Sequence, residues 1–227
     1  MTFLSSDYLD FEQTAHETLF KGCVHVWETL SNIGDYLKKN LKAEVHAKLA
    51  GKPFIGEQVY VGKGTVIEPG VCIQGPAWIG ENCLLRQGAY IRENVIVGDH
   101  CVLGNSCEFK NCVIFNDCEI PHFTYVGDSI LGHKVHLGAG VVLSNLKLNR
   151  TSVQIRCENC LIDTGLKKFG AIIGDRSEIG ANAVLNPGSV IGRDCLVYPL
   201  ISWVGVLPAQ SIVKGDTQYR ILPRRGV

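Results

Sequence analysis

The chain has 227 residues, 46% of them hydrophobic, enough for one domain with a continuous core and a small appendage. Its 22 basic and 22 acidic residues cancel, which removes the global positive field used by nucleic-acid and anionic-membrane binders, so neither partner is expected. The first residues lack a basic region followed by an apolar stretch, and no apolar run approaches the roughly 18 residues of a membrane span, so a cytoplasmic protein is expected.

Residues 1–48 read as a helical linker segment. Phe20, Val24, Trp27, Leu30, Ile33, Leu37 and Leu41 recur at steps of three and four, as one face of an amphipathic helix does, with Gly34 a point of interruption.

Residues 49–215 carry a different period. Ile55, Val61, Ile67, Ile73, Ile79, Leu85, Ile91, Val97, Leu103 and Phe109 follow one another every six positions. Neither a helix nor an ordinary strand produces six; a stacked coil with three short faces does. Two positions before each large residue stands a small or β-branched one, among them Val59, Thr65, Ala77, Cys83, Ala89, Cys101 and Cys107, which fits a second inward position. Glycine follows the large residue at Gly56, Gly62, Gly80, Gly98 and Gly104, where a tight corner with positive φ is expected. The pattern predicts a mainly β fold, a parallel β-helix of hexapeptide type.

One-residue slips move the large positions to Ile114, Ile120 and Val126, then to Leu131, Leu137 and Leu143. A slip in a regular repeat re-aims side chains and marks a place to look for chemistry. Residues 144–169 form a polar, basic excursion with Asn145, Lys147, Arg150, Lys167 and Lys168; the hexad then resumes at Ile173, Ile179, Leu185, Ile191 and Val197, and 216–227 is a basic tail. Of the ten cysteines, Cys83, Cys101, Cys107, Cys112, Cys118 and Cys195 occupy inward positions, where a free thiol acts as a small hydrophobe. Cys157-Glu158-Asn159-Cys160 has no second half at metal-ligand spacing and reads as a loop feature, so no metal is expected.

Where the repeat is interrupted, the motifs become specific. Cys107-Glu108-Phe109-Lys110-Asn111, His122-Phe123-Thr124-Tyr125-Val126-Gly127-Asp128, Leu137-Gly138-Ala139-Gly140, Ser144-Asn145 and Lys168-Phe169-Gly170 together resemble the carboxy-terminal acetyltransferase domain of bifunctional sugar-1-phosphate nucleotidylyltransferases. Trp27-Glu28-Thr29-Leu30 resembles the linker preceding that domain in archaeal members, so the resemblance covers most of the chain. It implies a left-handed β-helix and a homotrimer, with acetyl-CoA as cosubstrate and an amino-sugar phosphate as substrate. The nucleotidylyltransferase half has no counterpart in 1–48, so the chain is expected to act as the acetyltransferase half alone, in nucleotide-sugar biosynthesis.

N-acetylation of a hexosamine 1-phosphate needs a base near neutral pH, cations for the phosphate and a donor for the thioester oxyanion. The resemblance assigns His122 as base, the Ala139 amide as oxyanion donor and Asn145 as an organiser of the thioester. It assigns Arg92, Lys110 and Lys168 to the phosphate and sugar, and Tyr125, Glu108 and His136 to the sugar. It assigns Ala139, Gly140 and Ala181 to the cofactor groove, with Tyr198-Pro199 nearby. Two departures bear on substrate identity: Leu146 follows Asn145 where bacterial members have Tyr, and His136 stands where Asn is usual.

Two other classes compete. A different hexapeptide enzyme is one, including a zinc carbonic anhydrase, for which His100, His122, His133 and His136 have the wrong spacing. The other is a non-catalytic trimeric partner of a separate nucleotidylyltransferase, against which stands the intact cationic set of Arg92, Lys110 and Lys168 with His122, Tyr125 and Asn145.

Overall fold

A computed structural model describes residues 2–157 and 160–215; the tail expected at 216–227 lies outside them. Every coil contributes one short strand to each of three faces. The first face begins with Glu44–Val45 and continues through Val59–Val61, Ala77–Ile79 and Val95–Val97. The second begins with Lys48–Leu49 and Val66–Ile67, the third with Phe54–Ile55 and Cys72–Ile73. All ladders between coils are parallel, as a solenoid requires, and the first coil starts at Glu44, ahead of the expected boundary at 48.

The register locates the slips. On the first face Ala77 pairs with Val95, a step of 18, but Val95 pairs with Cys112 and Cys112 with Ser129, steps of 17. The missing residue is lost at the corner between the third and first faces. There Glu108–Ile114 and Tyr125–Leu131 run around the corner as unbroken strands of seven residues, where other coils interrupt the strand. Asn111 and Asp128, both with φ of 46°, bend the chain at that corner. The excursion leaves from the same edge after Val142–Leu143 and returns at Ala171–Ile173.

The inward set is buried as the hexad predicts: the large residues from Val61 to Phe109, the small ones two positions earlier and the six inward cysteines are closed to solvent. The glycines after the large residues are needed for a different reason from the one expected. Gly62 and Gly104 are not among the positive-φ residues; the left-handed corners fall two positions later, at Gly64, Asn82, His100, Asp117 and Lys134. A Cβ on Gly62 would instead lie 2.7 Å from the Gly80 backbone one coil above. Coil-to-coil contact, not φ, excludes a side chain.

A second core lies outside the solenoid. Ile96, Val113, Ile130, Ile172 and Val190 point outward from the first face and are buried beneath the N-terminal segment and the excursion. Phe3, Phe20, Trp27, Leu30, Ile33 and Leu37 pack there, with Val153, Ile155 and Phe169 from the excursion. The regular helix is shorter than the apolar spacing suggested: between Phe20 and Leu41 the α-helix covers Thr29–Asn40, preceded by 3₁₀ turns, and Val24 is 56% exposed. Gly34 does not interrupt it; a Cβ there would be 3.3 Å from the Asn94 side chain, so glycine admits a close helix–solenoid approach.

The excursion contains an antiparallel hairpin, Gln154–Arg156 with Leu161–Asp163, and this corrects the reading of Cys157 and Cys160 as a plain loop feature. The hairpin brings their Cα atoms to 4.9 Å and the two form a disulfide. The other eight cysteines are free.

Gly62→Ala should destabilise the solenoid by about 1–3 kcal/mol, because backbone is the obstacle and cannot swing aside; chemical denaturation checks it. His16 supplies a second prediction. Its ring is buried edge-on to Trp78 and Tyr36, with Nδ1 3.0 Å from the Tyr36 hydroxyl, and burial lowers its pKa to about 4 against an opposing pull from Asp99. The unfolded chain therefore takes a proton that the folded chain refuses between pH of about 6.5 and about 4, and stability should fall by up to about 3 kcal/mol across that window. Thermal melts of wild type and His16→Gln test this: the variant should lose most of that slope, even if less stable at neutral pH.

Candidate active site

The third face and its two edges gather most of the predicted residues. Tyr90, Glu108, Tyr125 and Val142 form an outward ladder, each stacked on the next. At the corner between the third and first faces Arg92 Nη1 lies 2.9 Å from Glu108 Oε1, with Nε 3.4 Å from Glu93. Lys110 Nζ lies between Glu93 at 3.7 Å and Asp128 at 3.8 Å.

Asp128 is the centre of this edge; the sequence motif ends on it, but no role was assigned to it. It is only 4% exposed. Its Oδ1 accepts from Asn111 Nδ2 at 2.9 Å, and its Oδ2 accepts from Asn145 Nδ2. Asn111 also donates to the Leu30 carbonyl at 3.3 Å, which ties the helix to the site. Asn145 Nδ2 donates a second bond to the Tyr125 hydroxyl at 3.1 Å. Both amide hydrogens of Asn145 are thus committed, and what it offers a ligand is its carbonyl oxygen, an acceptor, not a donor for an oxyanion. Burial first, then the charge of Asp128, raises the Tyr125 pKa, which keeps its O–H available as a donor. A signal for Asp128 existed: the second slip falls between Val126 and Leu131, around it, and Asp and Asn tolerate left-handed backbone.

The opposite edge, between the second and third faces, holds His122 and the Gly138–Gly140 turn on successive coils. His122 ends the strand Glu119–His122 and is exposed. Its carbonyl accepts from Gly140 N at 3.1 Å, stacking the glycine turn directly on it. Its imidazole makes no hydrogen bond among the described residues. The Ala139 carbonyl accepts from Asn182 N at 2.9 Å, whereas the Ala139 amide donates to nothing among the described residues. No slip lies beside His122: the slips are at the other edge, and His122 owes its exposure to an ordinary corner with Phe123 at φ of 51°.

Two assigned residues lie elsewhere. His136 faces outward from the second face, in register between Glu119 and Glu178, away from Arg92 and Lys110. It lines a pocket of about 400 Å³ with Ile179, Ala181, Leu196, Tyr198 and Pro199, largely apolar. Of the residues assigned to the cofactor, Ala181 lines this pocket, as do Tyr198 and Pro199; Ala139 and Gly140 are not among its lining residues, and His136 stands on the second face, apart from the sugar set. Lys168 is exposed at the foot of the excursion; the amide of Phe169, next to it, donates to the backbone carbonyl of Asn145 at 2.9 Å, so Lys168 borders the Asp128 edge. Among the described residues, no three His, Cys, Asp or Glu side chains converge as a metal site would require.

A parallel three-faced solenoid of hexads, with an exposed histidine stacked beneath a glycine turn, is the architecture of the hexapeptide-repeat acyltransferases. Residues 73–167 match the GMPPB C-terminal domain and 170–198 the hexapeptide repeat of succinyl-transferase. The putative uncharacterized acetyltransferase YaiX of Escherichia coli K12 is 35% identical over 170 residues, 74% of each chain. The chain belongs to the hexapeptide-repeat acetyltransferase family. The bifunctional sugar-1-phosphate nucleotidylyltransferase/acetyltransferase of Sulfurisphaera tokodaii is 34% identical over 156 residues, 69% of this chain and 37% of that protein. The bifunctional protein GlmU of Methanococcus aeolicus is 29% identical over 192 residues, 85% of this chain and 44% of the relative. The chain thus spans less than half the length of these two. Among solved structures, the Francisella novicida UDP-N-acetylglucosamine acyltransferase aligns over 74% of this chain and 59% of its own, with 17% identity and a TM-score of 0.48.

Proposed function

We propose that the chain transfers an acetyl group from acetyl-CoA to the amine of a hexosamine 1-phosphate, a step toward a nucleotide sugar. The observation that carries the reading is the third face itself: an uncommitted imidazole and an uncommitted backbone amide on one edge, and Arg92, Lys110, Tyr125 and Asn145 on the other. The amine nitrogen attacks the thioester carbonyl, forming a C–N bond; His122 accepts the amine proton, the Ala139 amide donates to the oxyanion, and the C–S bond breaks as the proton passes to the departing thiolate.

The charges require one further argument. Glu93, Glu108 and Asp128 outnumber Arg92 and Lys110, and Lys168 only balances them, so the edge has no positive surplus. Glu93 and Glu108 have side chains 39% and 37% exposed, however, and half-exposed ion pairs are worth about 0–1 kcal/mol. A phosphate dianion making bidentate contact with Arg92 displaces them at small cost.

The apolar pocket beside His136 and the Asp128 edge lie on different faces of one protomer. With the first face covered, the second and third faces are those free to meet another copy. A homotrimer that sets the second face of one protomer against the third face of the next completes the site. Sedimentation equilibrium should give three times the chain mass; a monomer with full turnover excludes the shared site.

In assays of thiol release, His122→Ala should lower kcat by about 10²–10⁴-fold with KM little changed. Arg92→Ala should raise KM for the phosphorylated amino sugar and leave its unphosphorylated form nearly unaffected, and Lys168→Ala should act in the same sense. A wild type that binds acetyl-CoA yet acetylates neither glucosamine nor galactosamine 1-phosphate would reject the reading.

A further inference from the structure

We infer that Asp128 is a positioning residue that sets the hydrogen-bond polarity and limits the cationic strength of the sugar-phosphate site. The inference rests on the proposed function for its kinetic part only; the anion-binding part stands apart from it.

A carboxylate accepts and does not donate. Buried behind Lys110, Asp128 therefore obliges both facing side-chain amides, Asn111 and Asn145, to turn their NH₂ groups toward it. The second donor of Asn111 goes to the Leu30 carbonyl, and that of Asn145 to the Tyr125 oxygen. No amide hydrogen is left over. The Tyr125 oxygen, already accepting from Asn145, donates its own O–H proton to nothing among the described residues. The site consequently presents a fixed pair to a ligand: an acceptor at Asn145 Oδ1 and a donor at Tyr125 Oη. A substrate group that both accepts and donates, a sugar hydroxyl or a neutral amine, satisfies the pair; a group that only accepts does not.

The same carboxylate lies 3.8 Å from Lys110 Nζ. Unlike Glu93 and Glu108 it cannot swing into water, because its side chain is 6% exposed and held by two amides. Lys110 is therefore always shared. That sharing holds down the affinity for phosphate and prevents the site from being filled by free anion in place of substrate.

Asp128→Asn tests both parts. The new side chain keeps the shape but loses the charge and one acceptor oxygen, freeing Asn145 to rotate and Lys110 to bind anions. Titration calorimetry with inorganic phosphate should show binding to the variant at least threefold tighter than to wild type. In the acetylation assay kcat should fall at least tenfold while KM for the phosphorylated amino sugar stays level or drops. A merely structural role would weaken both binding and turnover, and unchanged phosphate affinity with unchanged kcat overturns the inference. Should the wild type acetylate no amino sugar, the function reading fails and the phosphate titration alone decides this one. Should Asp128→Asn not fold, Asn145→Asp and the exchange Asp128→Asn/Asn145→Asp decide. The single variant opposes two carboxylates and should lose at least tenfold in phosphate affinity or kcat. The exchange restores one donor facing one buried charge and should recover most of that loss; an exchange no better than the single variant overturns the inference.

Discussion

Stacked parallel coils are pinned residue on residue by their ladders, so a coil one residue shorter than its neighbour must absorb the difference at a corner. Two successive coils here do so, both between the third and first faces, where the step drops from 18 to 17. With no residue to spare for a loop, the strand itself bends through Asn111 and Asp128 in left-handed conformation. The bend draws a carboxylate inward at a point where the regular repeat would put a solvent-facing side chain. Lys110, Asn145 and, through Asn145, Tyr125 take their positions from it.

The covering of the first face follows from a second regularity. Val95-Ile96-Val97, Cys112-Val113-Ile114 and Ala171-Ile172-Ile173 are apolar at every position, the signature of strands buried on both sides. The inward residues fill the solenoid and the central one of each triplet needs a cover. The N-terminal segment and the excursion supply it, which accounts for apolar residues such as Val153, Ile155 and Phe169 within an otherwise polar insertion. The helical part of the cover is tied to the site by a side chain: Asn111 binds the Leu30 carbonyl with one hydrogen and Asp128 with the other. The helix is therefore part of the scaffold that orients the third face.

Much of this was legible in the chain because the hexad is a strict local period. The three-faced solenoid, the inward cysteines, the slips and the excursion could all be read from spacing. The role of the glycines could not, since spacing shows where a side chain is excluded but not whether φ or the neighbouring coil excludes it. Helix length was overestimated because 3₁₀ turns bury Phe20 and Trp27 at nearly helical intervals while leaving Val24 outside. The Cys157–Cys160 disulfide depended on a hairpin that the polar composition of the excursion concealed. Asp128 stayed hidden because its partners, Asn111 and Asn145, are each 17 positions away and meet it only when the coils stack. His136 was separated from the sugar residues by the same geometry, as a residue eleven positions from Tyr125 turns onto another face.

Burial, more than charge count, ranks the cations of the third face. Arg92 is paired with Glu108 and Glu93, both able to swing into water, and its fork can be given over wholly to an incoming phosphate. Lys110 is buried more deeply and paired with a carboxylate that cannot leave. Under the proposed function, Arg92 is therefore the dominant phosphate contact, and Lys110 serves to compensate Asp128 as much as to bind ligand. Removing Lys110 leaves a buried carboxylate facing two amides and no cation, which costs stability as well as affinity. Removing Arg92 releases two half-exposed glutamates into solvent and leaves the fold untouched. The two cations look alike in the sequence, and the buried aspartate separates their roles.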